Sequence, residues 1–192
     1  MRPGPTLIGS LVPQRARLAY RRWFWRKVGG IPTSLTAAER EELTRLAEDA
    51  TVIEIGSQYG ASTITLARGA RIVYAIDHHR GDPVSGEWDT LGDFIAEINR
   101  HGVRDCVVPL VGRSEQIVEI LAPECFGLVF VDSGKATVAE VRTQALEARR
   151  LARPGGVIAF HDYGRFAVID EALLCELGEP VRVIDTLAVF NA

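Results

Sequence analysis

The sequence predicts an α/β fold: one open, mostly parallel seven-stranded sheet with helices on both faces and an antiparallel hairpin at its end. Three observations carry this. Apolar runs of strand length alternate with helix-like segments from Thr51 onward. Those runs are near-continuous in aliphatic residues, as strands covered on both faces require. The last two runs, 181–184 and 187–190, are separated only by Asp185-Thr186. Two residues are too few for a parallel crossover, so these runs must pair as a hairpin.

Taken in chain order, the first element is a basic, aromatic segment. Six basic residues between Arg15 and Lys27 are interleaved with Tyr20, Trp23, Phe24 and Trp25. It reads as a cap helix with its aromatic side on the domain, docking on a membrane surface or RNA being the competing reading. Gly29-Gly30-Ile31-Pro32 ends it, and Thr36-Ala-Ala-Glu39 has the spacing of a capping box opening a helix to about Ala47. Parallel strands are expected over 51–55, 71–76, 106–111, 127–131 and 156–160. Helices are expected over 62–68, 89–100, 114–121, 137–151 and 166–177. Arg153-Pro-Gly-Gly156 reads as a turn into the fifth strand. The expected organisation is a helical cap over residues 1–50 and a ligand-binding domain over 51–192.

Bulk composition narrows the function classes. Of the 192 residues, 47% are apolar and 24% charged, and the net charge of −3 provides no global basic field for nucleic acid. Cys106, Cys125 and Cys175 form no Cys-x-x-Cys pair, so neither a zinc site nor a disulfide framework is expected. No apolar run approaches the ~20 residues that span a bilayer, and the basic N-terminus lacks the apolar core of a secretory signal. A cytoplasmic protein is the expectation.

The chemistry concentrates where expected strands end. Thr51-Val-Ile-Glu-Ile-Gly-Ser-Gln-Tyr-Gly-Ala-Ser62 reads as strand, glycine turn and helix N-terminus, the arrangement that cradles nucleotide-like ligands. Its spacing is Glu-x-Gly-x-x-x-Gly rather than Gly-x-Gly-x-x-Gly. A carboxylate at Glu54 repels a pyrophosphate but suits a ligand bearing an ammonium group. Gly56 and Gly60 let the backbone approach that ligand, and the N–H groups of the turn, with Ser57 and Ser62, suit its carboxylate. Asp77 ends the second strand, where an acid accepts ribose hydroxyls. That role is shared with dinucleotide folds, so Asp77 alone leaves an NAD-dependent oxidoreductase open; the glycine spacing and the lack of a Tyr-x-x-x-Lys pair disfavour it. Asp132 ends the fourth strand and His161-Asp162 the fifth. Two carboxylates and an imidazole suit a divalent cation such as Mg²⁺. The alternative is metal-free acid–base chemistry with His161 as general base and a neighbouring acid orienting it.

Several stretches together resemble the class I S-adenosylmethionine-dependent methyltransferases, and more narrowly the small-molecule O-methyltransferases that act on macrolide and aminocoumarin sugars. They are Glu54-Ile-Gly-Ser-Gln-Tyr-Gly-Ala-Ser-Thr63, Val73-Tyr-Ala-Ile-Asp77 with Gly81-Asp82, Gly112-Arg-Ser114, Phe130-Val-Asp132, and Arg153 to Tyr163. The resemblance runs from about residue 35 onward. It implies a Rossmann-like sheet ordered 3-2-1-4-5-7-6 with strand seven antiparallel. It also implies S-adenosylmethionine as cofactor, with Arg113 and Ser114 along its adenine edge; His78, next to Asp77, is expected to border the adenine as well. Ser114 is in addition expected as the N-cap of its helix. Catechol and caffeoyl-coenzyme A O-methyltransferases place metal ligands at the two strand ends occupied here by Asp132 and His161-Asp162. A lysine three residues after their first ligand acts as base, and Lys135 matches it.

There are departures. The sugar branch reads Asp-Gly-Asp-His-Ser-Tyr where this chain has Asp132-Ser-Gly-Lys-Ala-Thr137, and the catechol type carries Asp-Asn at His161-Asp162. The resemblance therefore implies an O-methyltransferase acting on a hydroxyl of a small sugar or phenolic metabolite, with Lys135 and His161 as catalytic candidates. The alternative is a protein of this fold that binds the cofactor or a partner without methyl transfer. The acceptor pocket is expected from the N-terminal fifty residues, the loop of residues 80–88 with Trp88, and Tyr163 to Phe166. Those additions are small, which fits a small acceptor site or one completed by a second subunit of a homodimer.

Overall fold

The structure is a computed structural model that describes residues 26–28, 30–82, 86–87, 89–134 and 137–192. Seven strands form its central sheet: β1 (Thr51–Ile55), β2 (Ile72–Asp77), β3 (Val107–Val111), β4 (Phe126–Val131), β5 (Ala152–Phe160), β6 (Arg182–Ile184) and β7 (Leu187–Asn191). Numbered along the chain, their spatial order is 3-2-1-4-5-7-6. The first five run parallel, whereas β7 is antiparallel to both β5 and β6. The Asp185-Thr186 link thus makes the hairpin its length demanded.

Among the described residues six α-helices flank these strands, α1 (Ala37–Leu46) ahead of β1 and α2 (Ala61–Ala67), α3 (Leu91–Arg100), α4 (Ser114–Ile120), α5 (Val138–Leu151) and α6 (Ala167–Leu177) between successive strands. The alternating side chains of the sheet divide the core in two. Val52, Leu128, Phe130 and Ala159 pack with Leu43, Leu66, Phe94 and Ile98 of α1, α2 and α3. Ile53, Ile55, Val129, Val131, Ile158 and Phe160 pack with Val118, Val141, Ala145, Ile169 and Leu173 of α4, α5 and α6. Both faces are covered, which is why these strands read as continuous apolar runs.

Three local expectations are corrected. Arg26 and Lys27, placed at the end of a cap helix, lie in a short strand, Arg26–Val28, paired antiparallel with Ile31–Thr33. The rest of the basic, aromatic segment, residues 1–25, lies outside the described residues. Arg153–Gly156 is no turn before β5 but a bulge inside it: Ala152 pairs with Phe126, and pairing resumes at Val157 opposite Leu128. Ser114 does not cap α4. Arg113 occupies the N-cap without a side-chain cap bond, and the Ser114 hydroxyl lies beside Glu115 Oε2 at 3.4 Å.

The capping box at Thr36 is present. Thr36 Oγ1 accepts from the Glu39 N–H (3.2 Å), and Glu39 Oε2 accepts from the Thr36 N–H (2.7 Å). Residues from Ile31 onward belong to the same core as the sheet, with Ile31 and Leu35 buried against it. This packing brings the start of α1 to the hairpin, a contact that matters below.

Candidate active site at the strand ends

Backbone hydrogen bonds extend the parallel ladder one residue past the strands and tie their ends together. The N–H of Gly112 donates to the Asp77 carbonyl (3.1 Å), Gly56 to Ile76 (2.9 Å), Asp132 to Ile55 (2.8 Å) and His161 to Val131 (3.1 Å). The turns after β1, β2, β3, β4 and β5 therefore share one edge, as open α/β sheets arrange a ligand crevice.

On one side lies the glycine turn. Gly56 has φ +101°, and a Cβ on it would stand 2.3 Å from the Asp132 carbonyl oxygen, so only glycine fits between the two strand ends. Gly60 has φ +88° at the N-cap of α2, and a Cβ there would press on the Phe94 ring at 3.1 Å. Glu54 is a core position by strand alternation, sharing the Val52 face, and is wholly buried. Its Oε2 accepts from the Thr63 hydroxyl. Its Oε1 has no hydrogen-bond partner among the described residues, and neither does Oγ of Ser57, itself 2% exposed. Burial is the largest influence on the Glu54 carboxyl and, with the Asp132 and Asp77 charges, raises it to about 8 against the lowering pull of the Ser62 and Thr63 hydroxyls.

Two buried polar atoms without partners beside a glycine turn are costly in a finished core and natural in a ligand cradle. Asp77 is held ready at the far end. Its Oδ2 accepts from the Gln58 N–H (2.8 Å) and its Oδ1 from the His79 N–H (2.7 Å), leaving lone pairs on both oxygens. His78 is half-buried, its Nδ1 accepting from the Arg80 N–H (3.0 Å). Arg113 is exposed and Ser114 half-buried beside the Gly112 turn. His79, which the sequence reading passed over, is buried, tilted on Phe94 and bonded through Nδ1 to Thr90 Oγ1 (2.8 Å), so it fixes the loop after β2.

On the other side Asp132, His161 and Asp162 converge, with one ligand atom from each lying within 4.8 Å of the others. His161 Nδ1 lies 3.2 Å from Asp132 Oδ1 and 3.4 Å from Asp162 Oδ1. Asp162, at φ +70°, also accepts from Arg165 Nη1 (2.9 Å). The opposite ring nitrogen, Nε2, meets Thr186 Oγ1 at 3.2 Å and Glu39 Oε2 at 3.6 Å. The ring is wholly buried. Burial is the largest single influence and lowers its basicity, yet the Asp132 charge, the bonds with Asp132 and Glu39, and the Asp162 charge together raise it to about 10. A wholly buried ring, with Nδ1 turned to the two acids and Nε2 to Thr186 and Glu39, is remote from a substrate hydroxyl, and it can ligate a cation only as Nδ1 gives up its hydrogen. The donor set does fit a cation: two carboxylates and one imidazole nitrogen face a common point. Lys135 and Trp88 lie outside the described residues.

Thr186 was missed as a neighbour of this site, while Glu39 and Arg165 fell only within the broad stretches expected to build the acceptor pocket, residues 1–50 and Tyr163 to Phe166. Glu39 carried a sequence signal only for its capping role. Nothing in the local pattern ties α1 to a turn so distant along the chain.

Known proteins give the arrangement a context. The chain matches the family described as Methyltransferase domain over residues 53–163. It is 34% identical to the Catechol O-methyltransferase of Mycobacterium tuberculosis over 147 residues, 67% of this chain and 62% of that protein. A Putative O-methyltransferase of Mycobacterium sp. is 30% identical over 138 residues, 69% of this chain and 57% of that one. The chain thus spans about three-fifths of the length of these curated relatives. Among solved structures, cofactor-bound Rv0187 from MTB is similar with a TM-score of 0.65 and 25% identity, covering 98% of this chain and 97% of that one. The O-methyltransferase TomG from Streptomyces achromogenes, solved in complex with SAM, shares the fold with a TM-score of 0.63 at 21% identity, covering 95% and 90%.

Proposed function

We propose, from the premise that this chain belongs to the class I S-adenosylmethionine-dependent O-methyltransferase family, that it transfers a methyl group to a hydroxyl of a small sugar or phenolic metabolite. The observation that carries the reading is the buried Glu54 Oε1 beside the Gly56 turn, without a hydrogen-bond partner among the described residues. Glu54 would face the ammonium of S-adenosylmethionine, the amides of the turn with Ser57 and Ser62 its carboxylate, and Asp77 its ribose. His78, Arg113 and Ser114 would border the adenine. The bound donor supplies an electrophilic methyl group on a sulfonium, so the protein's share is alignment and removal of one hydroxyl proton.

Asp132, His161 and Asp162 would hold a divalent cation, which lowers the pKa of an acceptor hydroxyl bound to it. That reading uses His161 as a ligand through Nδ1 and leaves proton removal to Lys135. The alternative role, His161 as general base, is disfavoured by the complete burial of the ring.

Calorimetric titration with S-adenosylhomocysteine and with NAD tests the donor half, and tighter NAD binding overturns it. Turnover of a hydroxylated acceptor panel tests the rest. Activity should be lost in EDTA and in Asp132→Ala, and Lys135→Met should keep donor binding while losing rate. Activity that survives both EDTA and Asp132→Ala removes the cation from the reading. Donor binding without transfer to any acceptor would favour a binding protein of this fold.

A further inference from the structure

The proton of the Thr186 hydroxyl decides how His161 is used. Glu39 Oε1 lies 2.7 Å from Thr186 Oγ1 and 2.8 Å from the Thr186 N–H. A carboxylate only accepts, so the single hydroxyl proton of Thr186 points to Glu39. Toward His161 Nε2, 3.2 Å away, the same oxygen can then only accept, and Nε2 must carry a hydrogen. Glu39 Oε2, 3.6 Å from Nε2, favours the same assignment. The nitrogen left to face Asp132 and Asp162 is Nδ1, the one whose hydrogen a bound cation would displace.

Glu39 is itself held from several directions. It is wholly buried, the Thr36 N–H occupies Oε2, and Thr36 Oγ1 donates to Asp185 Oδ2 (2.6 Å) on the same hairpin turn. The start of α1 and the β6–β7 turn are therefore latched together, and His161 sits against the latch.

We propose that Glu39, acting through Thr186, is a positioning residue that fixes the orientation and tautomer of His161 so that Nδ1 faces the cation site formed with Asp132 and Asp162. This rests on the cation reading above. Carboxylate partners behind metal-binding histidines act in this way in general, and losing one weakens metal binding about 10- to 100-fold.

Glu39→Gln is the informative substitution because it keeps the size of the side chain and reverses the polarity of one end. Its amide can donate to Nε2, which moves the ring hydrogen to Nδ1 and closes the cation side. Mn²⁺ affinity measured by electron paramagnetic resonance on cofactor-free protein should fall about 10- to 100-fold in Glu39→Gln and in Thr186→Val. The Kd for S-adenosylhomocysteine should stay within about twofold, since neither residue touches the glycine turn. With Mg²⁺ bound, ¹⁵N spectra of wild type should show a protonated Nε2 and an unprotonated Nδ1. Thr36→Val, which removes the capping hydroxyl and its Asp185 bond but retains Glu39, should leave Mn²⁺ affinity near wild type.

Wild-type Mn²⁺ affinity and an unchanged ring tautomer in Glu39→Gln overturn the positioning role and leave the cation reading intact. An equal loss in Thr36→Val also overturns it, because the effect is then one of helix stability. Absence of Mn²⁺ binding in wild type overturns the cation reading and this proposal together.

Discussion

Glu54 should make donor binding depend on pH, and the size of the effect follows from its setting. With its carboxyl raised to about 8, roughly one-tenth of the ligand-free protein carries the charged form at pH 7 and about one-hundredth at pH 6. If the donor's ammonium requires the carboxylate, the apparent Kd for S-adenosylhomocysteine should fall about tenfold per pH unit from 6 to 7 and level off near 8. Binding at pH 7 should release close to one proton, read by calorimetry in two buffers of different protonation enthalpy. Glu54→Gln should bind with no such slope and lose about 2–5 kcal/mol at pH 8, the range for removing one partner of a buried charged pair. The same shift acts on stability with a definite sign. The folded pKa is raised, so the contribution of Glu54 is fully present below pH 4.5 and is lost as pH rises through 8. Ligand-free protein should therefore soften over that window, and the donor complex should not. A Kd that is flat between pH 6 and 8, with no proton released, would refute the pairing of Glu54 with an ammonium group.

Three further expectations concern the frame around the site. Gly56→Ala should cost about 3 kcal/mol or more in urea unfolding and abolish donor binding, since φ +101° and the Asp132 carbonyl both exclude a Cβ. Thr137→Ala removes the capping box of α5, in which Thr137 Oγ1 accepts from the Glu140 N–H (3.2 Å); the loss should be about 1 kcal/mol with donor Kd unchanged. Burial, the largest influence on Glu39, pushes its carboxyl up, but bonds from His161, the Thr36 N–H and Thr186 together hold it down at about 2. That stabilisation is present above pH 4.5 and is lost as pH falls toward 2, so Tm should drop more steeply over this range in wild type than in Glu39→Gln.

The sheet was legible because its strands are buried on both faces and their breaks fall at glycines and short polar links. Val52, Leu128 and Phe130 serve one layer and Ile53, Val129 and Val131 the other, and this double burial writes itself as unbroken apolar runs. The turn proposed for the donor side was legible as a strand-end turn for a related reason. Glu54, Gly56, Gly60 and Asp77 sit at fixed offsets from strand ends, where backbone geometry dictates residue type. The partners of His161 were not, because they depend on tertiary packing. Glu39 satisfies a local capping rule completely, so the pattern contained no residue of unexplained chemistry to prompt a search for a second role. The bulge at Arg153–Gly156 was misread because proline and glycines signal broken pairing without saying whether a strand ends or resumes. Ser114 was misread because a serine preceding a helix by one residue and a serine opening it look alike in sequence.

The latch between Thr36, Glu39, Asp185 and Thr186 has a consequence for how the molecule comes together. The proposed donor cradle, from Glu54 to Asp77, is a local strand–helix–strand unit closed by β1–β2 pairing. The setting of His161 requires segments up to 149 residues apart, and closing so long a loop is entropically costly until the sheet between them exists. Refolding protein should accordingly regain its grip on the donor before it regains its grip on a cation. The two halves of the proposed site would mature at different times, the second only when the last hairpin has docked.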